Sequence, residues 1–237
     1  MRDEIHLWYV RPDQVTDPDL LARYAAMLSP EEAARQRRFM FAKDRHTYLV
    51  ARALVRTVLS RYAEASPEAW VFGVNEYGKP YVAGGADLPP LRFNLSHADG
   101  LVACAVAMDH DLGVDAENVH RAVAVMDLAR RYFSAREAAD LERLPADLQR
   151  ERFFDYWTLK EAYIKARGLG LSIPLDRIWF DLEAGRPPRI GFAPSVEDDP
   201  AAWQFAQFRP TSQHRMAVAV KQPSGQDWPV VVRQTVP

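Results

Sequence analysis

The sequence has a single cysteine, Cys104, in 237 residues. One cysteine excludes an intrachain disulfide framework and a cysteine-rich metal site. It lies inside the apolar run 101–108, where it reads as a small buried hydrophobe. Long apolar stretches are missing too. No run approaches a membrane span, and the opening MRDEIHLWYVRP carries early acids and lacks the apolar core of a signal peptide. We therefore expect a soluble, cytoplasmic protein. An excess of one charge is also absent: 30 basic residues face 32 acidic ones, for a net charge of -2. No overall field marks a nucleic-acid or membrane binder, so any charge specialisation is local. The chain contains no GxSxG elbow, no Walker-type GK[ST] and no GxGxxG. Serine hydrolase, P-loop kinase and Rossmann readings find no support.

What is present suits one large domain or two small ones, with 48% hydrophobic and 26% charged residues. Alternation over 5–10 predicts a strand, and the pattern from 29 to about 61 predicts a helix. Residues 35–61 hold eight basic residues and one acid, Asp44. On a continuous helix Arg38, Arg45, Arg52 and Arg56 share one face, which suits a solvated face or, with so few acids nearby, an anionic ligand. Strand, turn and strand follow at 71–82, with the turn at 77–80. The apolar runs 91–96 and 101–107, separated by HADG, predict a hairpin. A strand ends at GVDAE (113–117), and helical segments lie at 123–131 and 135–144. A strongly amphipathic helix is expected over 150–166, stopping at Gly168. Strands are expected at 177–182, 203–208 and 214–221. The last of these, HRMAVAV, echoes GLVACAV at 100–106, so the chain reads as two similar halves of mixed helix and sheet.

Asp115 and Glu117, two apart at a strand end, emerge on one face. Taken alone they suit a solvated edge as well as a pair of cation ligands. Glu161 and Lys165 are one helical turn apart on WTLKEAYIK (157–165), with Trp157 a turn earlier on the same stripe. A surface ion pair there would contribute only ~0.3–0.5 kcal/mol, but this face is expected to be partly buried. Three carboxylates brought together repel one another unless a cation joins them. A carboxylate-only donor set points to a hard ion, magnesium or manganese, of the kind completed by phosphate oxygens. Ser96 and His97 open the hairpin turn, where the histidine can donate to a phosphate oxygen; the pair also suits an ordinary turn.

Four motifs in this order, EYGKP (76–80), FNLSH (93–97), GVDAE (113–117) and WTLKEAYIK (157–165), closely resemble the surfactin-synthetase-activating type of 4'-phosphopantetheinyl transferase. The resemblance runs from SPEE at 29 to LSIPL at 171–175. It implies an α+β fold of two pseudo-symmetric halves, 1–118 and 119–237, with the active site in the cleft between them and a monomer as the expected state. The implied reaction moves phosphopantetheine from coenzyme A to a serine of an acyl, polyketide or peptidyl carrier protein, releasing 3',5'-ADP. Asp115, Glu117 and Glu161 match the family's acids for magnesium, and Glu161 also matches its general base. Lys165 matches a lysine beside the transferring phosphate. Lys79, Ser96 and His97 match residues that hold the coenzyme's phosphates, and the turn from Tyr77 to Pro80 matches one that lines the adenine. Glu137 matches a further acid of unassigned role. Thr47 stands where a relative carries arginine and Glu32 where a lysine can occur, which leaves Arg35 and Arg45 as the expected 3'-phosphate contacts. A coenzyme A binding module and a magnesium-dependent phosphodiesterase are the alternatives. The first would tolerate loss of the three acids, and all three are present.

Overall fold

The computed structural model describes residues 3–84, 88–170, 173–222 and 227–237. Leu171 and Ser172, which open the LSIPL stretch, lie outside the described residues. Two sheets stack face to face, and each has helices on its outer face. The first sheet takes β1 (Ile5–Val10), β4 (Leu91–Ala98), β5 (Leu101–Met108) and β11 (Val230–Gln234) in the order β11-β1-β5-β4. The second takes β6 (Leu112–Asn118), β9 (Trp203–Thr211) and β10 (His214–Lys221) in the order β6-β10-β9. Two small hairpins, β2 (Phe72–Val74) with β3 (Pro80–Val82) and β7 (Ile178–Asp181) with β8 (Arg189–Phe192), complete the strands.

Side-chain alternation explains the layering. Leu101, Ala103, Ala105 and Ala107 of β5 pack with Leu112, Val114 and Ala116 of β6 and with Met216, Val218 and Val220 of β10. The other face of β5, Val102, Cys104 and Val106, packs under Val50, Leu54 and Val58. Cys104 is fully buried there, and burial pushes its thiol up to about 12, so it is an inert core residue. The echo between 100–106 and 214–220 corresponds to β5 and β10, each internal to its own sheet. Strand pairing interleaves the two halves: the division expected after residue 118 falls at the end of β6, which bonds to β10, while β11 returns to pair with β1.

The helix expected over 29–61 is two helices, α2 (Pro30–Arg37) and α3 (Ala42–Leu59), preceded by α1 (Pro18–Met27). Arg45 donates to the carbonyls of Phe39 and Met40 at 2.9 and 3.0 Å, satisfying the corner's backbone. The continuous basic face therefore does not form. Arg52 and Arg56 turn inward onto Glu32, whose Oε1 accepts from Arg52 Nε at 2.7 Å and whose Oε2 accepts from Arg56 Nη2 at 2.8 Å. Glu32 also closes a capping box with Ser29. Burial works to raise its pKa, but both guanidiniums and the Ser29 N–H outweigh it and hold the carboxyl low.

In the second half, α4 (Val125–Tyr132), α5 (Ala135–Arg143) and α6 (Ala146–Arg167) cover the outer face of the β6-β10-β9 sheet. Helix α6 begins earlier than expected and is not amphipathic. Phe153, Phe154, Tyr156, Leu159, Lys160, Ala162, Tyr163 and Ile164 are all buried, so nearly every side of it is enclosed. Trp157 stacks on Phe153 at 5.6 Å between ring centroids and belongs to this core. Gly168 ends the helix in the left-handed conformation, φ 64°. Among the described residues no helix is long and apolar enough to cross a membrane.

Candidate active site

The site forms along β4, β6 and α6. Strand β6 is not laddered to β4. Instead the buried side chains of β4 take its amides: Asn94 Oδ1 accepts from Val114 N at 2.8 Å and Ser96 Oγ from Ala116 N at 3.2 Å. Val114 and Ala116 face the sheet interface, so Gly113, Asp115 and Glu117 face α6. Gly113 permits the close approach, because a Cβ there would lie 2.1 Å from the Ala162 carbonyl oxygen and 2.4 Å from Ala166 N. Glu161 and Lys165, one turn apart on α6, are brought over Asp115 and Glu117.

Lys165 Nζ lies 2.6 Å from Asp115 Oδ1 and 2.9 Å from Ser96 Oγ, and Ser96 Oγ donates to the same Asp115 oxygen at 3.1 Å. Asp115 is buried, and its Oδ2 has no hydrogen-bond partner within the protein. A buried carboxylate oxygen left bare costs about 1–3 kcal/mol or more. Glu117 pairs with Arg121 at 2.7 Å, yet burial and the Asp115 charge still push its pKa up. Glu161 is pushed up to about 7 by burial first and then by Asp115 and Glu117, against the pull of Lys165. Three carboxylates thus share a site with less positive charge than they need, which is the condition that a hard cation relieves. Among the described residues no three such side chains are already grouped around a common metal position.

Lys165 also lines a cavity of about 240 Å³ with Tyr77, Lys79, Pro80, Asn94 and Gly168, so Lys165 links the 77–80 turn to the acid cluster. The turn is docked onto the end of α6: Asn75 donates to the Gly168 carbonyl at 2.9 Å and accepts from the amides of Tyr77 and Lys79. Lys79 Nζ donates to the carbonyls of Ala166 (2.7 Å) and Leu112 (3.2 Å), and burial pulls its pKa down to about 8. His97 is exposed at the penultimate position of β4, and partial desolvation together with the Lys165 charge keeps its imidazole below the usual value. A larger hollow of about 560 Å³, lined by Arg152, Pro187 and Gln204, contains none of these residues.

Of the residues singled out by sequence, Asp115, Glu117, Glu161, Lys165 and Ser96 form one cluster, while Lys79 and Pro80 line the cavity that Lys165 opens onto, with the Lys79 ammonium held by backbone carbonyls. Arg35 is exposed on α2 beside Arg38 and Phe39, while the Arg45 guanidinium is engaged with backbone carbonyls. Glu137 is elsewhere. It caps α5, accepting from Ser134 N (3.0 Å) and Ser134 Oγ (2.8 Å), it accepts from Phe180 N (3.0 Å), and it pairs with buried Lys160 at 2.7 Å. Its setting is that of a core clamp. Residues that the sequence reading did not single out are Asn75, Asn94 and Arg121. Asn94 stands in the FNLSH motif and was the most accessible of the three.

Two family descriptions match: "4'-phosphopantetheinyl transferase, N-terminal" over residues 16–109 and "4'-phosphopantetheinyl transferase superfamily" over residues 111–219. The chain is 34% identical over 220 residues to the 4'-phosphopantetheinyl transferase HetI of Nostoc sp., covering 93% of this chain and 89% of that protein. It is 37% identical over 154 residues to the 4'-phosphopantetheinyl transferase Sfp of Bacillus subtilis, covering 65% of this chain and 66% of Sfp. Among solved structures, a holo-(acyl-carrier-protein) synthase from Bacillus anthracis in complex with CoA (3',5'-ADP) aligns with a TM-score of 0.41 and 20% identity, over 48% of this chain and 96% of that one, a likeness too slight to argue from. On its two contiguous family matches and its near full-length likeness to HetI, the chain belongs to the 4'-phosphopantetheinyl transferase family.

Proposed function

We propose that the cleft between β6, α6 and the 77–80 turn is where this transferase moves 4'-phosphopantetheine from coenzyme A to a carrier-protein serine. The observation that carries the assignment is the bare, buried Oδ2 of Asp115 beside Glu117 and Glu161. A carboxylate-only set with an unsatisfied oxygen fits a magnesium or manganese ion held by Asp115, Glu117 and Glu161. When bound, such an ion offsets the negative charge of the pyrophosphate.

The remaining chemistry is assigned to the chain's own side chains. Tyr77, Lys79 and Pro80 line the cleft opposite Lys165 and suit the nucleotide, with Lys79 still largely charged at neutral pH. Arg35 and Arg45 are the proposed contacts for the 3'-phosphate. Lys165 and His97 face the phosphate that bears pantetheine, where positive charge and hydrogen-bond donation stabilise the transition state. Ser96 holds Lys165 and the amide of Ala116 in place. The serine oxygen of the carrier attacks that phosphorus, the bond to the bridging oxygen breaks, and 3',5'-ADP leaves. Glu161 takes the serine proton directly or through one water. Such a reaction is mostly positioning and electrostatics.

Intact-mass spectrometry of an apo carrier protein incubated with the enzyme, coenzyme A and magnesium tests this reading, with a chelator control. A magnesium-dependent gain of one phosphopantetheine on the carrier is expected. Release of free phosphopantetheine with no mass on the serine would identify a phosphodiesterase. Coenzyme A binding without either product, across several carriers, would identify a binding module.

A further inference from the structure

The cluster's own cation is Lys165. Its ammonium sits on Asp115 Oδ1 at 2.6 Å, steadied by Ser96 Oγ at 2.9 Å. At the same time the Lys165 side chain is 28% exposed and lines the cleft shared with the 77–80 turn, whereas Asp115 opposite it is 7% exposed. One end of the ion pair is buried in the strand and the other opens onto the cavity. A divalent ion and an ammonium crowded onto one carboxylate repel each other strongly where water is scarce. A polyanionic ligand in the cleft gives the ammonium a better partner and removes that repulsion.

We propose that Lys165 is a resident counter-ion: it holds Asp115 in the ligand-free enzyme and is drawn into the cleft by the phosphates of coenzyme A, so that divalent cation and coenzyme A bind cooperatively. This rests on the reading of Asp115, Glu117 and Glu161 as cation ligands. The lysine is then a gate on the carboxylates as well as a phosphate contact. Linkage makes the effect reciprocal: each ligand tightens the other by the same factor.

The test is manganese binding, followed by the loss of the free-ion electron paramagnetic resonance signal, with and without coenzyme A. Wild type, Lys165→Met and Lys165→Gln are compared, with thermal melts to show that each is folded. In wild type, coenzyme A should tighten manganese binding by about 5- to 150-fold. Without coenzyme A, both variants should bind manganese at least about fivefold more tightly than wild type, because the competing charge is gone. Unchanged or weaker coenzyme-free binding in both variants, with coupling intact in wild type, overturns the counter-ion proposal and leaves the carboxylate reading standing. If wild type binds no manganese even with coenzyme A, and Asp115→Asn behaves identically, both are overturned.

Discussion

Helix α6 carries two lysine–carboxylate pairs five residues apart, and they are opposite in kind. Lys160 and Glu137 are 0% and 1% exposed, and every group is satisfied: Lys160 also donates to the carbonyls of Leu175 and Ile178, and Glu137 accepts from Ser134 and Phe180. Lys165 and Asp115 are open to the cleft on one side, with one carboxylate oxygen bare and two further acids close by. The first pair is closed and neutral, which suits a clamp between α5, α6 and β7. The second is short of positive charge and of hydrogen bonds, which suits a site awaiting ligands. Saturation, more than residue type, separates structure from function here.

The sharpest way to break the comparison is to remove one partner from the closed pair. Lys160→Met leaves Glu137 charged and buried, and should cost about 3–5 kcal/mol. At about 2–4 °C per kcal/mol for a chain of this length, the melting temperature should fall by roughly 6–20 °C. Adding Glu137→Gln, which keeps the shape and removes the charge, should recover much of that loss in a double-mutant cycle read by urea denaturation. In the open pair the expectation reverses. Asp115→Ala should lower turnover by on the order of 10²–10³ while the melting temperature moves little, since the charge removed is one the fold leaves short of partners. Steady-state assays and melts on one preparation separate the two effects.

Smaller effects come from the contact that joins β6 to α6 and from the charge itself. Gly113→Ala places a methyl against the backbone of Ala162 and Ala166; we expect a loss of about 1–3 kcal/mol and slower turnover as the strand is pushed from the helix. Glu161→Gln should stabilise the cation-free protein. The carboxyl sits near 7 when folded against 4.5 for an unperturbed glutamate. The folded state therefore binds that proton more tightly, and this contribution is fully present below pH 4.5 and is lost as pH rises through 7. A neutral glutamine escapes the loss, so the variant should gain about 1–3 kcal/mol at pH 8 and almost nothing at pH 4, measured by denaturation at both.

The parts legible in sequence were those fixed by local pattern. Alternation along 113–117 put Asp115 and Glu117 on one face, helical spacing put Glu161 and Lys165 together, and Gly168 marked the end of α6. The illegible parts depend on partners distant in the chain. Nothing between Arg37 and Ala42 signals a helix break by glycine or proline; the corner is held by Arg45, reaching back to carbonyls. The basic face vanished because Glu32 comes from a different helix to neutralise Arg52 and Arg56. Strand β11 pairs in parallel with β1 from the far end of the chain, and β8 is four residues between turns, so neither stood out. The capping box Ser134 to Glu137 was readable as a local motif, but its other partner, Lys160, lies on α6.

The most direct test of the open cluster as the transfer site sets wild type beside Asp115→Asn and the Glu137→Gln/Lys160→Met double variant, all at a temperature where each is folded. Mass added to the carrier serine is followed with time. The account predicts transfer by wild type and by the double variant and none on the same timescale by Asp115→Asn. Transfer by Asp115→Asn at the wild-type rate would contradict it.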